Sequence, residues 1–425
     1  MMMKKLPEDF LIGASTAAHQ VEGNNIHSDF WAQEQMEHSD FVEPSLDAVD
    51  HYNRYEEDIR LMKEAGLNAY RFSIEWARIE PEKGIYCQEE VEHYRKVIEC
   101  CLENGIKPVV TMHHFSSPKW LITEGGWENE ETINYFASYC AYVMENLGGL
   151  LEYVCTINEA NMGLQIALVA EEMMRRMKEG KTGDLQVGID LSELMKQREE
   201  QQKEMEKVFG IPADQVHTFL SMLSKKGDEI IMRSHAAARD AMKKVQPHLK
   251  VGATFSLYDL QPEPDGEEKA KELWEQDFGH YLPYLMDDDF IGVQNYTRKR
   301  VSANGSLPEP EGAELTDMGY EFYPWAVSHV AEKVYEQTKK PVLITENGIA
   351  TADDTRRCAY INEALEGVAQ CIENQVPVLG YLHWSLLDNF EWQKGFCMKF
   401  GLIAVDRTTQ KRCPKPSLYE LGKWR

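Results

Sequence analysis

Eight short apolar segments, most of them separated by longer helical patterns, constrain the fold of this 425-residue chain more than any other feature. The strand-like segments are residues 10–16, 69–74, 108–114, 153–159, 251–256, 290–296, 341–346 and 378–384. Helical patterns cover residues 55–65, 88–104, 132–147, 326–338 and 357–374. Strands that alternate with helices pair in parallel through right-handed crossovers, so eight such units predict an α/β fold, the (β/α)8 TIM barrel. A doubly wound open sheet is the alternative, but no glycine-rich phosphate turn follows the first segment.

The longest gap in this alternation lies between the fourth and fifth segments, at about residues 160–250. Its middle, about 171–227, is rich in Met, Glu, Lys and Gln, and residues 195–209 have the composition of an exposed helix. We interpret the gap as a helical insertion after strand 4 that lies over the barrel mouth. Its helix is either an ordinary solvated helix or a lid that shapes substrate access.

A second polar stretch, residues 297–317, is predicted to be a loop at the same face, because loops that follow barrel strands gather there. No internal repeat or linker divides the sequence. We therefore predict one catalytic barrel domain over residues 1–425.

The composition excludes several classes of protein. The net charge of −26, from 45 basic and 71 acidic residues, repels nucleic acid and anionic lipid. No stretch approaches the ~20 apolar residues of a membrane helix, and the first residues lack the apolar core of a signal peptide. The nine cysteines have irregular spacing and no CxxC pair, which favours buried structural thiols in a reducing compartment. We predict a cytoplasmic protein with no nucleic-acid or membrane partner.

Two glutamates end two of the apolar segments. Asn158 and Glu159 end the fourth, and Glu346, followed by Asn347, ends the seventh. Catalytic groups of TIM barrels lie at the carboxyl ends of the strands, so both carboxyls are expected to face one cleft. A single glutamate at such a position is more often an ion-pair partner, but two beside asparagines favour catalysis. Two carboxyls about 5–5.5 Å apart are the equipment of a retaining glycosidase.

Other polar and aromatic side chains are predicted at the same strand ends. They are Gln20, Glu22, Arg71, His113, His114, Asn295, Tyr296, Trp384, Asp388, Asn389, Glu391 and Trp392. This mixture suits a sugar, whose hydroxyls need polar partners and whose ring faces need indole surface, although the tryptophans could equally be core.

Some of these side chains have individual expectations. Arg71 is a candidate cation and Tyr296 a candidate hydrogen-bond donor for an ionised carboxyl, and Asn158 is a candidate for binding the sugar 2-hydroxyl. Adjacent residues of a strand point to opposite faces. We therefore expect one sugar-binding and one packed histidine at His113 and His114, rather than a pair of metal ligands.

Several motifs are specific enough to suggest a family. They are residues 10–13 (FLIG), 18–23 (AHQVEG), 70–79 (YRFSIEWARI), 156–159 (TINE), 344–348 (ITENG) and 383–392 (HWSLLDNFEW), followed by 400–402 (FGL). In this order they resemble glycoside hydrolase family 1, the β-glucosidase and β-glycosidase family. The resemblance extends from residue 10 to about residue 406 and is weakest at 160–250.

The resemblance implies a retaining β-glycosidase that needs no metal or organic cofactor. Glu159 would be the general acid/base and Glu346 the nucleophile. Other residues would bind the non-reducing sugar: Gln20, His114, Asn158, Glu391 and Trp392, with Trp384 as the stacking platform. Arg71, Asn295 and Tyr296 would orient and tune the nucleophile. The implied partner is a small β-glycoside or oligosaccharide with a terminal, non-phosphorylated β-D-glucosyl or related residue.

The chain departs from the family pattern at two positions. Ala160 follows the acid/base glutamate where the family usually has proline, so a backbone restraint is lost and Glu159 is predicted to be aimed less firmly. Phe115 stands where the family usually has tryptophan after the histidine. Both changes bear on substrate preference more than on chemistry.

Three other functions remain open. A 6-phospho-β-glycosidase would need a phosphate-binding loop of Ser, Lys and Tyr near strand eight, where Glu391 would repel a phosphate. A non-catalytic carbohydrate-binding barrel is suggested by Ala160 and opposed by the two glutamates. Transglycosylation would use the same covalent intermediate. The sequence also leaves open whether glucose, galactose, fucose or another glycone is preferred, which aglycone is accepted, and whether the protein forms a homo-oligomer.

Overall fold

The computed structural model describes residues 6–178 and 191–425, with side chains at 6–170 and 197–425. The strands are β1 Leu11–Ser15, β2 Ala69–Ser73, β3 Lys107–His113, β4 Tyr153–Ile157, β5 Lys250–Gly252, β6 Thr254–Ser256, β7 Asp259–Pro262, β8 Ile291–Gln294, β9 Arg298–Ser302, β10 Gly305–Ser306, β11 Val342–Asn347, β12 Val378–Trp384, β13 Ile403–Val405 and β14 Arg412–Pro414. The helices are α1 Ala18–Val21, α2 Asp29–Glu34, α3 His51–Glu64, α4 Trp76–Ile79, α5 Gln88–Glu103, α6 Lys119–Thr123, α7 Glu131–Leu147, α8 Met162–Lys178, α9 Leu191–Phe209, α10 Lys225–Val245, α11 Glu267–Asp277, α12 Ala326–Thr338, α13 Asp354–Glu373 and α14 Pro416–Gly422.

Nine of these strands form one parallel sheet in the order β5-β4-β3-β2-β1-β12-β11-β8-β6. The strands at the two ends of this order, β5 and β6, are consecutive pieces of one strand interrupted at Ala253. The sheet therefore curls into a nearly closed barrel of eight strands with helices between them. The predicted (β/α)8 fold is confirmed, and each of the eight predicted segments contains a barrel strand.

Alternation along the strands divides the core into two layers. Leu11, Val109 and Leu343 belong to a small cluster contributed by residues of several strands, which fills the barrel interior. Their neighbours Ile12 and Val110 belong to the large cluster shared with the helices. Because both faces of each strand are buried, parallel strands appear in the sequence as continuous apolar runs.

The helical insertion after β4 is shorter than predicted. Of the predicted gap at 160–250, α10 packs against α7 and β4 and is the barrel helix that leads to β5. The insertion proper is therefore α8, α9 and the segment that joins α9 to α10. Residues 179–190 of the predicted insertion lie outside the described residues.

The C-terminal part of α9 is attached to the barrel. His38 Nδ1 lies 2.9 Å from Glu204 Oε1, which joins α9 to the loop after α2. Phe209, at the end of α9, packs in a small apolar cluster with Ile122 of α6 and Val216. This contact pattern is that of a docked helix.

The polar stretch predicted to be a loop at 297–317 contains a hairpin instead. β9 and β10 pair antiparallel, and β9 also pairs in parallel with β7. Arg298, on β9, forms an ion pair with Glu321 at 2.7 Å. The stretch is therefore an ordered small sheet outside the barrel.

None of the helices within residues 6–178 and 191–425 is long and apolar enough to cross a membrane. All nine cysteines are free thiols. Cys101, Cys140, Cys155 and Cys371 are buried, whereas Cys397 and Cys413 are exposed. The prediction of buried structural thiols therefore holds for only part of the set.

Candidate active site

Glu346 lies on β11 and is surrounded by hydrogen-bond donors. Arg71 Nη1, from β2, donates to Glu346 Oε1 at 2.7 Å. Tyr296 donates its hydroxyl to Oε2 at 2.6 Å, and Gln294 Nε2 donates to Oε1 at 3.2 Å. Burial and then the negative charge of Glu346 raise the pKa of Tyr296 well above its usual value, so the phenol stays a donor. Only 3% of Glu346 is exposed, and its surroundings favour the carboxylate.

The end of β11 is braced by the residues after Glu346. Asn347 donates from Nδ2 to the carbonyl of Asn295 at 2.6 Å and accepts from the Tyr381 hydroxyl at 2.8 Å. A Cβ at Gly348 would stand 1.9 Å from the carbonyl oxygen of Trp384. Glycine therefore lets the chain after Glu346 approach the end of β12.

Glu159 directly follows the end of β4 and has a different environment. Its side chain is buried, and its backbone is in the left-handed region with φ +45°. Burial, and next the negative charge of Glu346, raise the pKa of Glu159 well above its usual value. A hydrogen bond from Ser256 opposes this shift only in part. A carboxyl in this setting holds its proton at neutral pH.

The backbone around Glu159 is held despite the absence of proline. The amide of Ala160 donates to the carbonyl oxygen of Thr254 at 2.9 Å, a bond that proline could not make. The amide of Glu159 donates to Thr254 Oγ1 at 3.1 Å. The expectation of a less firmly aimed Glu159 is therefore wrong at the level of the backbone, because hydrogen bonds to β6 replace the ring.

Asn158 links the two carboxyl regions. Its Oδ1 accepts from Arg71 Nη2 at 2.6 Å and from Gln294 Nε2 at 2.6 Å. Arg71 and Gln294 thus each contact both Asn158 and Glu346. Gln294 was not among the predicted site residues, and the available signal was its position at the end of the sixth apolar segment.

Asn295, predicted to support the nucleophile, does not do so through its side chain. Its Nδ2 donates to the carbonyl oxygens of Leu257 and Thr297, at 2.8 and 2.9 Å. Its backbone amide donates to the carbonyl of Glu346 at 3.1 Å. Asn295 therefore braces the loop after β8, and Gln294 occupies the position beside the carboxylate.

The polar wall opposite Glu346 is built by the loops after β1 and β12. Gln20 Nε2 donates to the carbonyl of Phe390 at 2.7 Å and lies 3.4 Å from Glu391 Oε2. Trp384 also forms a hydrogen bond with Glu391. Burial, and next the charge of Glu346, raise the pKa of Glu391 to about 8. Glu391 can then either donate or accept a hydrogen bond near neutrality.

An aromatic wall adjoins these polar groups. The His114 ring stacks on Trp384 and Trp392, with centroids 5.7 and 6.0 Å apart. Burial, and next the charge of Arg71, lower the pKa of His114 well below its usual value, so the imidazole is neutral. Trp384 and Trp392 are largely buried, at 3% and 9% exposed. Together they provide a flat apolar surface with polar edges.

Phe115 and Phe219 join this wall to the segment between α9 and α10. Phe115 lies 5.2 Å from Trp392 and stacks on Phe219 at 5.8 Å. His113 is the packed histidine of the pair: its Nε2 lies 3.0 Å from Ser117 Oγ, and its ring contacts Trp127 and Phe219.

Three other strand-end residues have structural partners. Glu22 pairs with Arg78 at 2.9 Å, and Asp388 pairs with Lys415 at 2.8 Å. Asn389 donates to Ser385 Oγ at 3.1 Å. Within residues 6–170 and 197–425, no cluster of three or more His, Cys, Asp or Glu side chains has the arrangement of a metal site.

Comparison with known proteins agrees with this geometry. The model of the family described as "Glycosyl hydrolase family 1" matches residues 2–175 and 280–423, so the region of the insertion and of α10 is unmatched. A solved structure of a β-glycosidase, BGL167, superposes with a TM-score of 0.88 at 42% identity, covering 99% of this chain and 96% of that one. β-Glucosidase A of Acetivibrio thermocellus is 30% identical, covering 97% of this chain and 96% of that protein.

A phosphoglycosidase is also among the relatives. The 6-phospho-β-galactosidase 1 of Streptococcus pneumoniae is 27% identical, covering 98% of this chain and 97% of that protein. Since the family model matches most of the chain, this protein belongs to glycosyl hydrolase family 1 and is an O-glycosyl hydrolase.

Proposed function

We propose that this protein is a retaining β-glycosidase with a preference for terminal, non-reducing β-D-glucosyl residues, and that residues 1–425 act as one catalytic domain. Glu346 is the nucleophile and Glu159 the general acid/base. The observation that supports these roles is the contrast between the two carboxyls. Three side chains donate to Glu346, whereas burial and like charge keep Glu159 protonated. Pairs of carboxyls whose environments differ in this way divide into base and acid.

In the first step the Glu346 carboxylate attacks the anomeric carbon while Glu159 transfers its proton to the glycosidic oxygen. The bond between the anomeric carbon and that oxygen breaks, the aglycone leaves as an alcohol, and a glycosyl ester forms on Glu346. Arg71 and Tyr296 hold the carboxylate in place for this attack.

In the second step Glu159 is a carboxylate and Glu346 is a neutral ester. Glu159 removes a proton from water, whose oxygen attacks the anomeric carbon, and Glu346 leaves as a carboxylate. The two displacements restore the β configuration. The proton taken up by Glu159 returns it to the acid form for the next cycle.

The preference for a non-phosphorylated glucosyl residue rests on the polar wall and on the relatives. Gln20 and Glu391 lie side by side and offer amide and carboxyl groups to sugar hydroxyls. When ionised, Glu391 would repel a phosphate, so the similarity to a 6-phospho-β-galactosidase does not favour that activity here. The relative from A. thermocellus is named a β-glucosidase.

A panel of nitrophenyl β-glycosides tests the proposal with wild type, Glu346→Gln and Glu159→Gln. Wild type is expected to cleave the glucoside best, and Glu346→Gln is expected to lose on the order of 10⁶-fold in kcat, as when other catalytic nucleophiles are removed. Azide is expected to rescue Glu159→Gln and to give a β-glycosyl azide, because azide attacks the glycosyl ester without a general base. Wild type inactive on the whole panel would favour the carbohydrate-binding alternative, and an α-glycosyl azide would exclude retention.

A further inference from the structure

Four buried side chains form one hydrogen-bonded group at the centre of the site, the central tetrad of Arg71, Asn158, Gln294 and Glu346. Arg71 and Gln294 are fully buried, and Asn158 and Glu346 are 1% and 3% exposed. Arg71 donates to Asn158 Oδ1 and to Glu346 Oε1, and Gln294 Nε2 donates to the same two oxygens. Each acceptor oxygen therefore receives two donors.

The donors fix the orientation of both amides. Turning over the Asn158 amide would place its NH2 group against the guanidinium of Arg71. Turning over the Gln294 amide would place its oxygen against the Glu346 carboxylate. Amide orientation is assigned from such hydrogen-bond networks, and here the donors and acceptors permit one arrangement. Asn158 Nδ2 must be a donor and Gln294 Oε1 an acceptor.

These two remaining atoms are buried and have no partner among the described side chains and backbone. Their amides are adjacent, since Gln294 Nε2 lies 2.6 Å from Asn158 Oδ1, yet Nδ2 and Oε1 do not bond to each other. A buried donor and a buried acceptor without partners are costly unless a ligand supplies them. One hydroxyl can satisfy both, because it accepts from one group and donates to the other.

The position of the tetrad identifies that hydroxyl. Both free amide atoms belong to residues that hydrogen-bond Glu346 or its partner Arg71. In the proposed reaction Glu346 reaches the anomeric carbon C1, so the nearest sugar hydroxyl is the one on C2.

We propose that Gln294 is a specificity-determining residue whose Oε1 accepts the proton of the substrate's 2-hydroxyl while Asn158 Nδ2 donates to the same oxygen. This inference rests on the proposed glycosidase function and adds a requirement to it. The preferred substrates carry a free 2-hydroxyl, and 2-deoxy and 2-acetamido-2-deoxy glycosides are poor substrates. Contacts to the 2-hydroxyl strengthen in the oxocarbenium-like transition state, so the effect falls mainly on kcat.

The test compares kcat/KM for nitrophenyl β-glucoside and its 2-deoxy analogue in wild type and Gln294→Met. Loss of the amide oxygen is expected to lower the ratio of the two values about 10-fold, because the 2-deoxy substrate has no hydroxyl to lose a partner. Tyr296→Phe is the matched control: it removes a donor to Glu346 but contacts neither free amide atom, so both substrates slow equally. If Gln294→Met does not fold, Gln294→Asn withdraws the oxygen by one methylene and should shift the ratio the same way.

A direct contact must be separated from an effect through Asn158. In an Asn158→Ala background, adding Gln294→Met should still lower the ratio. A ratio that does not move in either background would overturn the inference and leave Gln294 as a support for Glu346 alone. Wild type inactive on every nitrophenyl glycoside would instead overturn the proposed function, and the inference with it.

Discussion

Glu346 and Glu159 face the same site with the same side chain, but their surroundings are opposite. Glu346 receives hydrogen bonds from a guanidinium, a phenol and an amide, all at 2.6–3.2 Å. Glu159 receives one from Ser256 and lies near the negative charges of Glu346 and Glu391. Neighbours from other strands, and not the residue type, therefore assign the protonation of each carboxyl.

Glu159→Gln removes the acid side of this contrast and should have the largest effect on activity. For an unactivated aryl glucoside, kcat/KM is expected to fall on the order of 10²–10⁴-fold, the usual contribution of a general acid. The raised pKa of Glu159 keeps the acid protonated as pH rises, and activity is lost once pH passes that pKa. The descending limb of the pH profile should therefore disappear in the variant when measured with a dinitrophenyl glucoside. An unchanged descending limb would show that another group is the acid.

Tyr296→Phe weakens the opposite side, where the donors surround Glu346. The lost 2.6 Å hydrogen bond to a carboxylate is expected to lower kcat about 10- to 100-fold, because bonds to charged groups contribute about 1.5–3 kcal/mol. A carboxylate with fewer donors is protonated more easily, so the ascending limb of the pH profile should move to higher pH. A shift of the descending limb alone would contradict this assignment.

Ser256→Ala should widen the difference between the two carboxyls, with a smaller effect. The Ser256 hydrogen bond lowers the pKa of Glu159, so its removal is expected to raise that pKa further. The descending limb of kcat/KM should move upward by roughly one pH unit or less, the size of one ordinary hydrogen bond. Ser256→Thr keeps the hydroxyl and serves as the control. A downward shift in Ser256→Ala would exclude the proposed contact.

Ala160→Pro tests whether the backbone beside Glu159 depends on the hydrogen bond to β6. Proline removes the amide that donates to Thr254, so the free energy of unfolding is expected to fall by about 1 kcal/mol. Ala160→Ser keeps the amide and should be near wild type in a denaturant titration. A gain of both stability and activity in Ala160→Pro would restore the idea that the proline ring is the missing restraint.

The outcome for single residues shows where sequence-based prediction succeeded and where it stopped. The eight strand segments were predictable because both faces of each strand are buried and the pattern is local. The choice of Asn295 over Gln294 was not correct. The pairing of β11 with β8 shifts in register between Ile344 and Glu346, and that shift decides which amide faces the carboxylate. A one-residue shift turns every following side chain to the other face.

Long-range contacts account for the other differences. Nothing in the local pattern of α10 separates a barrel helix from the insertion, since both are polar and helical, and only its packing against α7 and β4 does so. The attachment of α9 depends on His38 and Glu204, which are 166 residues apart in the chain.

The barrel, the positions of Glu159 and Glu346 at strand ends, and the family were all accessible from the amino-acid sequence. They follow from local periodicity and from short motifs whose meaning does not depend on distant residues. The protonation of the two carboxyls and the orientation of the Asn158 and Gln294 amides required the folded chain. Burial, charge and hydrogen-bond partners act through space, and in this barrel they come from strands that are far apart in the chain.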